Sequence, residues 1–249
     1  MQIGLIGAGN MASALARGWG DPVLVTDAVA GRARALADEL GGEALASNAE
    51  LAERADAVIL CHKPAQLEAV AGELGGRARA VVSILGATPL ERLRAAYPDT
   101  PVVRMLPSVP VEVRQGITCH ARDLDADAAL QEEVLDLFRR VGPVVTVDEV
   151  QLDAAMGLMS CAPAYVALVA EAQVDAGVRA GLTPDVAAEL VVQTLSGTAA
   201  LLRSRDMDTL AVRRMVTSPG GSTARGLAAL ERHGLRAAFD DALQAVTAR

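Results

Sequence analysis

Gln2-Ile3-Gly4-Leu5-Ile6-Gly7-Ala8-Gly9-Asn10-Met11-Ala12 is a short apolar run that breaks at two glycines and passes into a segment with helical apolar spacing as far as Trp19. It reads as strand, glycine turn, helix. Each small residue has a mechanical reason. Gly7 permits the tight turn, Gly9 lets the backbone come close to an anion, and Ala12 lets the helix pack on its strand. The free amides and the positive end of the helix dipole at that point favour a phosphate group.

Outward from this turn the pattern repeats. Residues 23–26, 57–61, 80–84 and 102–105 are short, apolar on both faces and separated by helical segments, as buried parallel strands are. Ser47-Asn48-Ala49-Glu50 and Thr88-Pro89-Leu90-Glu91 read as capping boxes, the second with proline at the first helical position. A strand at 144–147 closes the unit, and only helical spacing follows. The expected fold class is α/β: a Rossmann-type dinucleotide-binding domain over 1–147, followed by an all-α domain over 148–249 that continues from it through a long helix. The stretch between Asp153 and Glu171 is uncharged but broken by Pro163, so it reads as a buried helix pair and not a bilayer span.

Composition narrows the partners. With 23 basic and 31 acidic residues the net charge is −8, which disfavours a nucleic-acid backbone or an anionic membrane surface. Only one Trp, two Tyr and two Phe are present, too few for base-stacking platforms. Cys61, Cys119 and Cys161 are isolated and no basic-then-apolar leader opens the chain, so a cytoplasmic protein is expected. Cys61/His62 and Cys119/His120 are adjacent pairs pointing to opposite strand faces, and no metal site is assigned. The Ala- and Leu-rich helical half is expected to cover its surplus apolar surface with a second copy, as a homodimer at least.

Asp27, at the end of the second strand and about 20 residues past the first glycine, is placed to accept hydrogen bonds from ribose hydroxyls and to repel a 2′-phosphate. That favours NADH. Arg32 and Arg34 lie just beyond, within side-chain reach of a 2′-phosphate, so NADPH stays open. Lys63 is the single lysine of the chain and sits in Cys61-His62-Lys63-Pro64 at a strand's carboxyl end, the edge where open α/β sheets bind ligands. His62 reads as packing and not as a base.

In the helical half, Thr217-Ser218-Pro219-Gly220-Gly221-Ser222-Thr223-Ala224-Arg225-Gly226 leads a helix with glycines and hydroxyls, a nest of free amides suited to a carboxylate. With these residues, and with Gly7-Ala8-Gly9-Asn10-Met11, Lys63-Pro64, Val82-Ser83-Ile84, Arg104-Met105, Pro163-Ala164-Tyr165 and Gly234-Leu235-Arg236-Ala237-Ala238 in order, the chain resembles pyrroline-5-carboxylate reductases over nearly its whole length. The resemblance implies NAD(P)H-dependent reduction of the cyclic imine 1-pyrroline-5-carboxylate to proline, the last step of proline biosynthesis. It implies that Ile6, Gly7, Ala8, Gly9, Asn10, Met11, Asn48, Cys61, His62, Lys63 and Pro64 line the nucleotide, with Ile84, Leu85 and Gly86 beside the nicotinamide. Ser218, Gly220, Gly221, Ser222 and Thr223 would hold the substrate, Thr223 contacting the ring nitrogen, and Glu149 would approach it. The helical half would be the dimerisation domain, in a homodimer or a higher assembly of dimers.

Several positions depart from the family pattern: Ser108-Val109 replaces Asn-Thr, Met159-Ser160-Cys161-Ala162 replaces a Ser/Gly run, and Met215 stands where the family has asparagine. These changes fit either proline formation or a more apolar cyclic imine. A non-catalytic NAD(P)-binding role is a third reading. A β-hydroxyacid dehydrogenase has a comparable layout but relies on a lysine in its helical half, and this chain has none after Lys63.

Overall fold

The computed structural model describes residues 1–124 and 126–248. They form two compact units, Met1–Pro163 and Ala164–Arg249.

The first unit is built on β1 (Ile3–Ile6), β2 (Leu24–Thr26), β3 (Glu43–Ala44), β4 (Ala57–Leu60), β5 (Val81–Ser83), β6 (Val102–Pro107), β7 (Thr118–Ala121) and β8 (Val144–Val147). They make one eight-stranded sheet in the order β3-β2-β1-β4-β5-β6-β7-β8. Every pairing from β3 to β6 is parallel, β6–β7 is antiparallel and β7–β8 is parallel. Between them lie α1 (Asn10–Trp19), α2 (Ala30–Leu40), α3 (Asn48–Arg54), α4 (Leu67–Leu74), α5 (Leu90–Ala96) and α6 (Ala128–Arg139), with α7 (Leu152–Met159) after β8.

Alternation along the strands makes the sheet two-sided. Leu5, Ile59, Val82 and Val103 point into one core with Leu15 and Trp19 of α1, Leu36 of α2 and Phe138 of α6. Val58, Leu60, Val81 and Val102 point into the other, against α3, α4 and α5. Each fully buried Leu, Val or Phe contributes roughly 1.5–3 kcal/mol of transfer free energy. Trp19 ties α1 to α6: its ring stands at 90° to Phe138 with centroids 5.6 Å apart, and its indole N–H donates to the Leu137 carbonyl at 3.0 Å.

After β8, α7 packs on the sheet, laying Leu152 and Met159 on Leu106, Cys119 and Ala121. The sequence-based expectations need three corrections. At α5 the Thr88 box does not form: Pro89 is the capping residue, Thr88 Oγ1 donates to the Gly86 carbonyl, and the Leu90 amide donates to Glu149 Oε1 at 2.9 Å. At α3 half of the expected box forms: Ser47 Oγ accepts from the Glu50 amide at 3.2 Å, while the Glu50 carboxylate pairs with Arg54 instead of returning to the Ser47 amide. Two strands, β3 and the antiparallel β7, add to those read from the sequence; β3 has only two residues and β7 reads Thr-Cys-His-Ala, with little apolar signal although all four are buried. Finally, the helix pair around Pro163 is buried only in its first half: α7 joins the sheet, whereas α8 (Ala162–Arg179) has no buried residue in a single chain.

The second unit continues with α9 (Pro184–Arg203), α10 (Thr209–Met215), α11 (Ser222–Arg232) and α12 (Leu235–Thr247). Among its described residues only Ala187 and Val212 are buried. Two stretches, Glu149–Arg179 and Pro184–Arg203, are long and apolar enough by composition to cross a bilayer.

The turn that joins α6 to β8 tests the close packing at the β7–β8 end of the sheet. Gly142 has φ +145°, and a Cβ there would lie 2.0 Å from the Gly116 carbonyl oxygen, a backbone atom that cannot rotate away. Gly142→Ala is expected to lower the thermal midpoint by about 5–10 °C, read by circular dichroism.

Candidate cofactor and substrate sites

The strand order reverses direction between β1 and β4, and the crevice outside their carboxyl ends is where an open α/β sheet binds its ligand. A cavity of about 820 Å³ opens there. Its lining includes Ile6, Gly7, Gly9, Asp27, Asn48, Cys61, His62 and Lys63, so the structure brings together residues from four separate segments of the sequence. Ala8 is buried behind the turn, Asn10 and Met11 begin α1, and Pro64 opens the 3-10 turn Pro64–Gln66. Ile84, Leu85 and Gly86 follow β5, outside this cavity's lining.

The glycines divide their work. Gly7 has φ +106° and a Cβ on it would lie 2.8 Å from the Cys61 carbonyl oxygen. Gly9 has an ordinary φ of −80°, and a Cβ there would meet nothing within 4 Å. The space beside Gly9 is thus a cradle at the amino end of α1, whose capping position has no side-chain partner. Those observations fit a pyrophosphate held by free amides.

Asp27 is fixed from both sides: Oδ2 accepts from the Ala8 amide at 2.8 Å and Oδ1 from the Val29 amide at 2.7 Å. It therefore ties the glycine turn to the end of β2 while still facing the cavity. Arg32 lines the cavity too; Arg34 does not. Cys61 and His62 lie past the end of β4, and both line the cavity instead of alternating as strand residues do. His62 Nδ1 donates to the Lys63 carbonyl at 2.9 Å, burial holds its pKa below the usual histidine range, and Nε2 is buried without a partner. Burial pushes the Cys61 thiol far up, so it is no thiolate nucleophile.

The sequence reading missed Gln66, Ala69, Val70 and Glu73, which also line the cavity. Their spacing carries the signal: i, i+3, i+4, i+7 from the 3-10 turn into α4 puts all four on one helical face. Glu149 sits in the short 3-10 turn Glu149–Gln151, where Oε1 accepts from Leu90 N and pairs with the buried guanidinium of Arg104. It is a brace between β6, α5 and the segment after β8, with Oε2 buried and unpartnered.

In the second unit, Ser218, Gly220, Gly221, Ser222 and Thr223 form the turn into α11. Gly220 takes φ +67°, Gly221 is the capping residue with no side-chain cap, and Ser222 and Thr223 occupy the first turn. The Gly221 amide donates to the Ser218 carbonyl at 3.1 Å. Arg225, given no role from sequence, braces the turn by donating to the Gly220 carbonyl at 2.8 Å and to Ser222 Oγ at 3.2 Å. The Thr223 hydroxyl makes no hydrogen bond among the described residues. Of the departures from the family pattern, Ser108 spends its hydroxyl on the Ile117 carbonyl and amide at 3.0 and 2.9 Å. Ser160 Oγ donates to the Pro107 carbonyl at 3.1 Å.

Residues 149–249 match the family model for pyrroline-5-carboxylate reductase dimerisation, and residues 2–86 match one described as NADP oxidoreductase, coenzyme F420-dependent. The chain is 34% identical to the pyrroline-5-carboxylate reductase of Synechocystis sp., covering all of this chain and 97% of that one. It is 35% identical to that of Mycobacterium leprae, covering all of this chain and 95% of the relative. The chain belongs to the pyrroline-5-carboxylate reductase family. In three dimensions it is similar to the Plasmodium falciparum pyrroline carboxylate reductase with NADP bound, at TM-score 0.89 and 25% identity over 99% of this chain and 95% of that one. It is an oxidoreductase with a nicotinamide dinucleotide as cofactor, and the cavity at the β1–β4 switch has the residues to hold it.

Two substitutions separate ligand contact from folding. Gly9→Ala is expected to leave the thermal midpoint within about 2 °C of wild type yet weaken dinucleotide binding at least about tenfold in titration calorimetry, because its methyl group occupies only ligand space. Glu149→Gln is expected to lower the midpoint by several degrees, since it leaves the buried Arg104 charge without a counter-charge. An unchanged midpoint with a raised substrate KM would instead make Glu149 a substrate contact.

Proposed function

We propose that the protein is a pyrroline-5-carboxylate reductase, which reduces the C=N bond of 1-pyrroline-5-carboxylate to give proline. The observation that carries this reading is the turn at 218–223: an uncapped helix start with free amides beside an unengaged threonine hydroxyl, in a chain whose full length matches reductases of that name. When bound, the dihydronicotinamide supplies the hydride for the imine carbon. The amides at the start of α11, with the helix dipole behind them, hold the substrate carboxylate. Thr223 donates to the ring nitrogen, which orients the ring and makes the imine carbon more electrophilic. Arg225 keeps the turn in that shape. A substrate that arrives as an iminium already carries the proton on nitrogen and needs no further donor; there the Thr223 hydroxyl accepts from that N–H, whereas to a neutral imine nitrogen it donates.

The preferred cofactor in this proposal is NADH. Asp27 is clamped by the Ala8 and Val29 amides, so its carboxylate cannot swing away from a 2′-phosphate. Arg32 in the same lining is the group that would serve NADPH. The functional division is proposed at 147/148, with 148–249 as the substrate-binding and dimerisation domain; the start of the dimerisation match at residue 149 supports it. The exposed apolar faces of α8 and α9 support a homodimer acting in the cytoplasm, where free cysteines such as Cys61, Cys119 and Cys161 persist.

A second reading is a cyclic imine with a more apolar ring substituent, favoured by Met159 and Met215 and by the internal engagement of Ser108 and Ser160. Both readings meet one assay. Purified protein with 1-pyrroline-5-carboxylate is expected to oxidise NADH with a kcat/KM several-fold above that for NADPH, and Asp27→Ser to reverse the order. Thr223→Ala is expected to cut kcat on the order of 100-fold. Failure to oxidise either cofactor with this imine, alongside turnover of an alkyl-substituted pyrroline, would establish the second reading.

A further inference from the structure

Past Asp27, the cofactor cavity continues between the segment after β3 and the face of α4. Leu45, Ala46, Ala69 and Val70 give it apolar walls; of its polar residues, Ser47 Oγ accepts from the Glu50 amide and Gln66 Oε1 from the Lys63 amide, and the other two are Asn48 and Glu73. These two are joined. Thr26 Oγ1 donates to Asn48 Oδ1 at 2.5 Å, and Asn48 Nδ2 donates to Glu73 Oε2 at 2.5 Å. A carboxylate can only accept, so Glu73 fixes which way the Asn48 amide points, and Thr26 agrees with that orientation from the other end. The result is a defined edge: an amide N–H with one proton to spare beside a carboxylate with lone pairs to spare.

We propose that Glu73 and Asn48 select the base of the dinucleotide, reading the Watson–Crick edge of adenine. This rests on the cavity being the dinucleotide site, with the pyrophosphate at Gly9 and the ribose at Asp27, which puts the base in this apolar section. Adenine presents an acceptor at N1 and a donor at N6. The spare Asn48 proton matches the first and the Glu73 carboxylate the second. Hypoxanthine inverts the pattern, with a donor at N1 and a carbonyl oxygen at C6, so that N–H faces N–H and carboxylate faces carbonyl. A site built to hydrogen-bond one group rejects the analogue that lacks it, because its own polar groups are left unpaired. Glu73 is solvent-accessible, so the discrimination is moderate, about tenfold rather than thousands.

The test is direct binding, followed by dihydronicotinamide fluorescence, of NADH and of reduced nicotinamide hypoxanthine dinucleotide to the full-length protein. Wild type is expected to bind the hypoxanthine form about tenfold more weakly. In Glu73→Gln nothing fixes the Asn48 amide any longer, so both amides can turn, with Thr26 Oγ1 accepting instead of donating, the Asn48 carbonyl accepting from N1–H and the new amide donating to the C6 carbonyl; the two affinities should then approach within about twofold while the thermal midpoint stays put. Equal binding of both dinucleotides by wild type, or an unchanged ratio in Glu73→Gln, overturns the proposal. Because no imine is present, a failed reductase assay leaves this experiment intact; loss of binding to both dinucleotides would overturn the proposal together with the placement of the cofactor.

Discussion

At the carboxyl ends of β1 and β4 the two chains run so close that residue 7 has no room for a side chain: a Cβ would lie 2.8 Å from the Cys61 carbonyl oxygen. That approach has three consequences. It turns the chain sharply enough for α1 to start at Asn10, so that its free amides face the crevice. It sets the Ala8 amide where Asp27 can accept from it, which locks the end of β2 to the turn. It also seats the end of β4 against the same turn, so that Cys61, His62 and Lys63 form the opposite wall. A parallel sheet gathers its loops on one edge, but this contact is what converts that edge into a walled cavity.

The two buried or clamped carboxylates near that edge do different work. Asp27 is held by neutral amides, which leaves its charge directed at whatever enters the cavity. Glu149 is held by Arg104, whose guanidinium is buried, and by the amide of Leu90. An ion pair in such surroundings adds little net stability but is costly to break, because either partner alone would be an uncompensated charge. Glu149 therefore pins the start of α5, where the loop from β5 ends, to the polypeptide just before α7. Glu149 drew notice in the sequence only through the family resemblance, and its bonds to Leu90 and Arg104 are not legible there.

What could be read from the sequence was whatever follows local periodicity. The glycine turn, the parallel strands and the Ser47 cap depend on neighbours within a few residues, and they appear where the pattern put them. The Thr88 box failed because its competitor, Glu149, is distant in sequence. Glu73 was invisible for a related reason: an exposed glutamate on a short amphipathic helix looks like a solvated surface charge until the fold brings Asn48 beside it. Ser108 shows the converse, since a hydroxyl that looks available in a motif is consumed by the Ile117 backbone.

The second unit poses a physical problem that a single chain does not solve. Its described residues bury only Ala187 and Val212, while Leu168 is 64% exposed, Leu190 54% and Val192 61%. Five helices cannot recover the entropy of ordering from two small buried side chains. The apolar length of α8 and α9 alone would also suit a bilayer, but α8 carries Glu171 and Asp175 and α9 carries Asp185 and Glu189, each a heavy cost in hydrocarbon. A second copy offers apolar faces of matching kind at no such cost, and the dimerisation match covers these helices. α11, like α12, has no buried residue of its own, so within one chain the turn at 218–223 rests on local bonds, those from Arg225 to the Gly220 carbonyl and Ser222 Oγ among them.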